Sequence, residues 1–217
     1  MKKLLVLLTT TFMLLSGIAH ADLKYGLSLA YTQIEADGTE TEGGEKNSAS
    51  VDNDVFIPSL FIEAAGDRFA VGLDYIPFDA DVSNKTKKRT DTETSVTGTT
   101  TSTTTSRTQQ AQASLEDHFT LYGHMNLTDS MYLKAGVVQV SLITEDSLDT
   151  GSKYGNKDID GITYGIGFTD GNSRMEIAYT DYEDFSISSS VARTGVSTNN
   201  SISADLDTLS LKFSYAF

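Results

Sequence analysis

The stretch that decides the fold is the last nine residues, Leu209–Phe217, which read LSLKFSYAF. Every second residue of this stretch is a large apolar or aromatic one, and the residues between them are small or polar. Successive side chains of a β-strand point to opposite faces, so the stretch predicts a strand with one apolar face. The same alternation occurs at residues 23–32, which read LKYGLSLAYT.

Eight segments of this kind follow one another along the chain. Each is near the 9–11 residues that a tilted strand needs to cross a bilayer. We predict strands at 23–35, 54–65, 68–80, 114–127, 130–144, 158–169, 173–184 and 203–217. A closed barrel satisfies every backbone group in lipid without a helix. The sequence therefore predicts an all-β fold, an eight-stranded antiparallel up-and-down transmembrane β-barrel.

The connections between these segments alternate in length. Short turns rich in Gly, Asp and Asn lie at 65–67, 128–129 and 170–172, whereas the other links, at 36–53, 81–113, 145–157 and 185–202, are long and polar. This asymmetry is typical of barrels with short periplasmic turns and long extracellular loops. The 81–113 link is rich in Thr and Ser, and we expect it to be a mobile extracellular loop.

The N-terminal residues have the pattern of a secretory signal. Lys2 and Lys3 precede an apolar stretch at residues 4–15, and Ala19-His20-Ala21 follows it. The apolar stretch is too short for a membrane-spanning helix, which is the alternative interpretation. We predict a signal peptide at 1–21, removed after Ala21, and a single barrel domain at 22–217.

Composition narrows the classes of partner. The formal net charge is −14, and removal of Lys2 and Lys3 makes it −16. Such acidity excludes nucleic acid as an expected partner, because nucleic-acid-binding domains carry a basic surface. The chain has no cysteine, so disulfides and thiolate metal sites are excluded.

Alternation alone leaves open whether the apolar face points into the barrel, as in a soluble lipocalin-type barrel, or outward to lipid. Aromatic residues stand at the ends of the apolar rows, as Tyr25 and Tyr31 do on the first strand and Phe69 and Tyr75 on the third. Membrane barrels place such girdles at the two interfaces. Together with the unequal lengths of the connections, this pattern favours an apolar face that points outward to lipid.

The residues Leu211, Phe213, Tyr215 and Phe217 resemble the C-terminal signature of bacterial outer-membrane barrels. With the eight-strand pattern, the chain resembles the OmpA-like and opacity-type family of small barrels. The resemblance implies location in the outer membrane of a Gram-negative bacterium and contact with outer-membrane lipid and lipopolysaccharide. It also implies recognition of these four residues by the barrel-assembly machinery. We expect a monomer.

If the apolar face points outward, the other face of each strand lines the lumen. The charged residues predicted there form one set: Glu63, Arg68, Asp74, Glu116, Lys134, Arg174, Glu176 and Lys212. An eight-stranded barrel is just wide enough for side chains to fill it, and unpaired charges inside are costly. We therefore expect a paired network that plugs the lumen, with Glu63 and Arg68 on neighbouring strands. A narrow charged constriction that passes small ions is the alternative.

Two prolines conflict with a regular barrel wall. Pro58 and Pro77 lie within predicted strands, and proline has no N–H for the ladder. We therefore predict a bulged or frayed rim at both positions.

Other candidate sites are weaker. His118 and His124 share the lumen face but stand about 20 Å apart along one strand, too far to share a metal ion. The acidic residues in the first long link and at its two edges are Glu35, Asp37, Glu40, Glu42, Glu45, Asp52 and Asp54. They offer oxygen ligands to divalent cations, but a solvated acidic loop is the favoured explanation. We predict no catalytic residues, no cofactor and no dedicated metal site.

These observations lead to a functional hypothesis. The chain is expected to be a structural, surface-exposed outer-membrane protein, with a plugged lumen and loops for surface interaction. A narrow porin-like channel and an adhesin are the alternatives. One barrel architecture hosts many activities, so the fold does not choose among them.

Overall fold

The computed structural model describes residues 21–42, 45–82, 87–97, 101–147, 154–190 and 199–217. They form eleven β-strands: β1 Asp22–Glu42, β2 Glu45–Ala65, β3 Phe69–Ile76, β4 Ala80–Asp81, β5 Lys87–Thr97, β6 Thr101–Asn126, β7 Met131–Ser147, β8 Lys157–Asp170, β9 Ser173–Tyr182, β10 Phe185–Ser188 and β11 Ser201–Ala216. No helix in this part of the chain is long and apolar enough to cross a membrane. The predicted signal peptide lies outside the described residues.

Eight of these strands close into a ring. Neighbours pair antiparallel in the order β1, β2, β3, β6, β7, β8, β9 and β11, and β11 pairs again with β1 from Gly26↔Ala216 to Thr41↔Ser201. Outside the ring, β4 and β5 pair with β6, and β10 pairs with β11. The predicted eight-stranded antiparallel barrel is confirmed.

The ring has two different ends. Short turns join β2 to β3, β6 to β7 and β8 to β9 at one end, which we call the turn end. At the other end, which we call the extended end, the strands run on well past the apolar band. The last residue also lies at the turn end, where the Phe217 N–H donates to the Tyr25 carbonyl oxygen at 2.8 Å.

The outer face of the ring is apolar and the inner face is buried. On β1, Leu27 is 54% exposed whereas its neighbour Ser28 is 6% exposed. Large exposed hydrophobic side chains recur on every ring strand. Phe61 of β2 points inward, and Gln139 of β7 points outward. An apolar outer band of this kind is the surface that membrane barrels present to lipid.

At the extended end, strands continue where the sequence predicted loops. The β1–β2 hairpin pairs without a break up to Glu42↔Glu45, so the predicted 36–53 loop is almost entirely strand. In the predicted 81–113 loop, β5 pairs with the first part of β6 from Lys87↔Ala111 to Thr97↔Thr101. The loop assignments were wrong for these residues. β-branched Thr fits extended backbone well, even where little apolar surface is buried.

A β-bulge interrupts β6 in its middle part. The pairing of β6 with β7 shifts by one residue between Glu116 and Phe119. Asp117, inside the shifted segment, has a φ of 50°, which is left-handed backbone. Such a shift reverses which side chains face the lumen. Leu115 is consequently buried, and its neighbour Glu116 points away from the lumen.

The two prolines mark a break in the wall between β2 and β3. The pairing of β2 with β3 ends at Leu60↔Tyr75. β3 itself ends one residue later, so Pro77 lies outside any strand. Pro58 keeps its register with Leu29 of β1, but the described part of β3 offers it no partner. The predicted frayed rim is therefore confirmed on the β3 side, while pairing on the β1 side is regular.

Candidate functional site in the barrel lumen

The most buried charge in the lumen is that of Glu63 on β2, which is 1% exposed. Both of its carboxylate oxygens accept hydrogen bonds from the Arg174 guanidinium on β9, each at 2.8 Å. The Tyr122 hydroxyl donates to Glu63 Oε2 at 3.1 Å, and His124 Nδ1 lies 3.6 Å from the same oxygen. A bidentate pair with additional hydrogen bonds is the arrangement that a buried carboxylate requires.

Two further ion pairs lie across the lumen. Lys134 Nζ donates to Glu176 Oε1 at 2.8 Å, and Lys212 Nζ donates to Asp74 Oδ2 at 2.9 Å. The ammonium group of Lys134 also stands 4.5 Å from the centre of the Tyr122 ring. Three acids and three bases are thus paired, and their formal charges cancel. We call these six side chains the ionic plug: Glu63, Asp74, Lys134, Arg174, Glu176 and Lys212.

Two residues of the predicted charge set lie elsewhere. Arg68 is exposed in the turn between β2 and β3, so it does not lie on the strand next to Glu63, where the sequence predicted it. β3 begins only at Phe69, which leaves Arg68 outside the alternating face. Glu116 was placed in the lumen by extending the alternation of β6, and the bulge after it reverses that face.

Two tyrosines complete the plug, and the sequence reasoning missed their role. The Tyr132 hydroxyl donates to Glu176 Oε2 at 3.0 Å. Its ring lies directly over Gly167 of β8, and the Tyr122 ring lies over Gly72 of β3. A Cβ at either glycine would collide with the ring. The detectable signal was an inward glycine beside an inward tyrosine on a neighbouring strand.

The two histidines occupy separate places, as expected. His124 lies with Glu63 in the plug, whereas His118 Nε2 is 3.0 Å from the Tyr182 hydroxyl, further towards the extended end.

Above the ionic plug, the lumen is filled by apolar side chains. Ile34, Val140, Ile159 and Leu206 are each at most 2% exposed, and they belong to four different strands. We call this group the apolar cap; it also includes Leu115, Leu142, Tyr154, Tyr182 and Ile187. Alternation in the sequence does not predict this group, because the inner residues of the most regular strands are small or polar.

Carboxylates gather on the outer face beyond the apolar band. Carboxylate oxygens of Asp181, Asp205 and Asp207 lie within 4.8 Å of one another, which would suit a divalent cation. Burial raises the pKa of Asp205, and the nearby charges of Asp207 and Asp184 raise it further. From the predicted acidic link, Glu35 pairs in register with Asp207. The carboxylates that could share a cation among the described residues are thus those on β9 and β11.

Comparisons with known proteins bear on the fold. No protein-family profile and no curated protein matches the chain. The solid-state NMR structure of the outer membrane protein AlkL in DMPC lipid bilayers matches at 14% identity with a TM-score of 0.51, covering 89% of this chain and 90% of that one. The chain has the fold of a small outer-membrane β-barrel.

Two other solved outer-membrane proteins resemble this barrel less closely. The outer membrane protease OmpT of Escherichia coli is 11% identical with a TM-score of 0.45, over 91% of this chain and 97% of that one. Ail, the attachment invasion locus protein of Yersinia pestis, solved with a heparin analogue, is 12% identical with a TM-score of 0.41, over 90% and 99%. At these identities and TM-scores, neither similarity carries an activity over to this barrel.

Proposed function

We propose that this chain is a surface-exposed outer-membrane protein whose sealed barrel holds a rigid platform of extended strands for surface interaction. In this proposal, residues 1–21 are a cleaved signal peptide, and the terminal strand is recognised by the assembly machinery. The apolar band contacts outer-membrane lipid and lipopolysaccharide, and the barrel is monomeric. One observation carries the proposal: the ionic plug and the apolar cap fill the lumen in series.

The plug argues against an open pore for a physical reason. An ion that crosses the barrel would have to separate Glu63 from Arg174, which are joined by two hydrogen bonds and largely buried. Breaking a buried pair costs about 3–5 kcal/mol. The ion would then have to cross the apolar cap, where Val140 is fully buried and no charge can be solvated. These are two barriers of different kinds along one path.

Planar-bilayer recording tests the seal. The protein comprising residues 22–217, refolded and inserted, is expected to show no steady open levels. Lys212→Ala should remain silent, because the other two ion pairs and the cap still block the lumen. Steady openings whose conductance changes in Lys212→Ala would contradict the proposal and establish the narrow-channel alternative, with Lys212 at the constriction.

The extended strands are the part of the barrel available for recognition. Function tends to lie on the segments that a rigid scaffold presents. The β1–β2 hairpin and the β5–β6 hairpin both project from the extended end. The proposal therefore depends on the orientation of the barrel in the outer membrane, because recognition at the cell surface requires the extended end to face outward.

Epitope insertion tests the orientation. An epitope placed between Thr97 and Thr101 should bind antibody on intact cells. The matched control carries the same epitope in the turn at Gly171 and Asn172, where antibody should bind only after the outer membrane is permeabilised. The reverse pattern would place the extended end in the periplasm and refute a role in surface interaction.

A further inference from the structure

A cavity of about 70 Å³ lies in the lumen between the ionic plug and the apolar cap. Its walls are rich in hydroxyl groups, contributed by side chains from six strands: Thr32, Ser59, Thr120, Thr163, Thr180, Thr208 and Ser210. The charges that border it, Lys134, Glu176 and Lys212, already belong to ion pairs. The cavity therefore offers donors and acceptors but no unpaired charge.

The cavity is closed along the barrel axis. Towards the turn end, the Lys212–Asp74 and Lys134–Glu176 pairs form its floor. Towards the extended end, the apolar cap lies over it, with Leu115 and Tyr182 among the lining residues. A molecule that reaches the cavity along the axis would have to displace one of these layers.

The wall beside the cavity is interrupted. Ladder pairing between β2 and β3 stops at Leu60↔Tyr75. Further towards the extended end, Asn53 Nδ2 donates to the Asp81 carbonyl oxygen at 2.7 Å. Between these two points, residues 54–59 and 76–80 share no ladder pairing among the described residues. We call this opening the wall window.

Phe78 shows that the cavity reaches the outer surface through the wall window. Its side chain lines the cavity and is also 57% exposed. Ile57 and Ile76 line the inner side of the same opening. On the outer side, Phe56 is 71% exposed, and the half-buried Tyr75 stacks on Phe119, which extends the aromatic row at the edge of the apolar band. Such rows lie at the membrane interface, so the mouth opens there.

We propose that the cavity and the wall window together bind a small uncharged amphiphile of the short-chain alcohol class, which enters sideways from the membrane interface. Its hydroxyl group lies among the serine and threonine hydroxyls, and its alkyl chain lies along Ile57, Ile76 and Phe78. A charged head is disfavoured because no counter-charge is free. An apolar cavity of about 150 Å³ holds benzene. A cavity of half that size holds the head of such a molecule and leaves its chain in the window.

The first test uses n-hexanol and the unaltered barrel. The barrel is methyl-labelled, refolded in nanodiscs of perdeuterated lipid, and examined for intermolecular nuclear Overhauser effects (NOEs). The hydroxymethylene protons of hexanol should give NOEs to the methyls of Thr120 and Thr163, and its terminal methyl should give NOEs to Ile57. NOEs only to outward methyls such as Ile62 would mean partition into lipid alone. NOEs to the cap residue Val140 would mean entry along the axis. Either of these last two results overturns the proposal.

A pair of serine variants provides the second test. Ser59→Leu fills the cavity and should reduce the hexanol NOEs to Thr120 at least fivefold. Ser28→Leu is the matched control, because Ser28 is a similarly buried lumen serine that does not line the cavity. Undiminished NOEs in a folded Ser59→Leu barrel would refute the site. If Ser59→Leu does not fold, the NOE pattern of the unaltered barrel decides the question.

Discussion

Replacing Glu63 with leucine should lower the free energy of unfolding by about 3–5 kcal/mol. The variant leaves the Arg174 guanidinium largely buried without its carboxylate, and it removes the acceptor of the Tyr122 hydroxyl. Water reaches the ionic plug poorly at this point, because Glu63 itself is 1% exposed. Urea titration of the barrel in lipid vesicles measures the effect, with folded and unfolded forms separated by their migration on unheated gels.

Arg68→Leu is the control for this prediction. Arg68 is the basic residue nearest in sequence to Glu63 on the same hairpin, but it is exposed in the turn. Its replacement should change the free energy of unfolding by less than about 0.5 kcal/mol. Adding Arg174→Met to Glu63→Leu should recover part of the loss, because no unpaired charge then remains. Equal losses in Glu63→Leu and Arg68→Leu would mean that the buried pair does not stabilise the barrel.

The contrast between Glu63 and Arg68 shows which part of the site the sequence predicts. The inward orientation of Glu63, Asp74 and Lys212 follows from alternation, which depends only on the local geometry of a strand. The partner of Glu63 does not follow from it. In a narrow barrel, long side chains reach across the lumen, so Glu63 on β2 pairs with Arg174 on β9, 111 residues away in sequence.

Register shifts limit prediction in a different way. A single bulge residue, Asp117, reverses the inward face of β6 beyond it, which moves Glu116 out of the lumen and Leu115 into it. Periodicity cannot locate such a shift, because both faces of the segment carry plausible residues. The apolar cap was missed for a related reason. Most of its members, such as Ile34 of β1, lie within predicted strands, but their burial depends on packing between strands across the lumen.

The long links show where composition misleads. Thr- and Ser-rich segments bury little apolar surface, which argues for disorder in an isolated chain. Here the first part of β6 continues a strand whose register is already set by the barrel. Lys87–Thr97 pairs along this part of β6 from Lys87↔Ala111 to Thr97↔Thr101, so its partner strand is already in place. The β propensity of Thr then determines the outcome.

The contact of the Tyr132 ring with Gly167 leads to the second large prediction. Gly167→Val should strongly lower the free energy of unfolding. The new side chain would occupy the space of the Tyr132 ring, which lies against Gly167. Overpacking costs about 1–3 kcal/mol, and a displaced Tyr132 would also lose its hydrogen bond to the Glu176 carboxylate. We expect a total loss of about 3 kcal/mol in the free energy of unfolding, measured by the same urea titration.

Gly155→Val is the matched control for Gly167→Val, since a Cβ at Gly155 would meet no atom within 4 Å. Its effect should stay within about 0.5 kcal/mol. Tyr132→Ala removes the ring. In that background, Gly167→Val should cause a smaller loss in the free energy of unfolding than it does alone, because the two changes act on one contact and are not additive. If the double variant instead loses the sum of both single effects, the ring and the glycine act independently, and the destabilisation by Gly167→Val must arise in the backbone of β8.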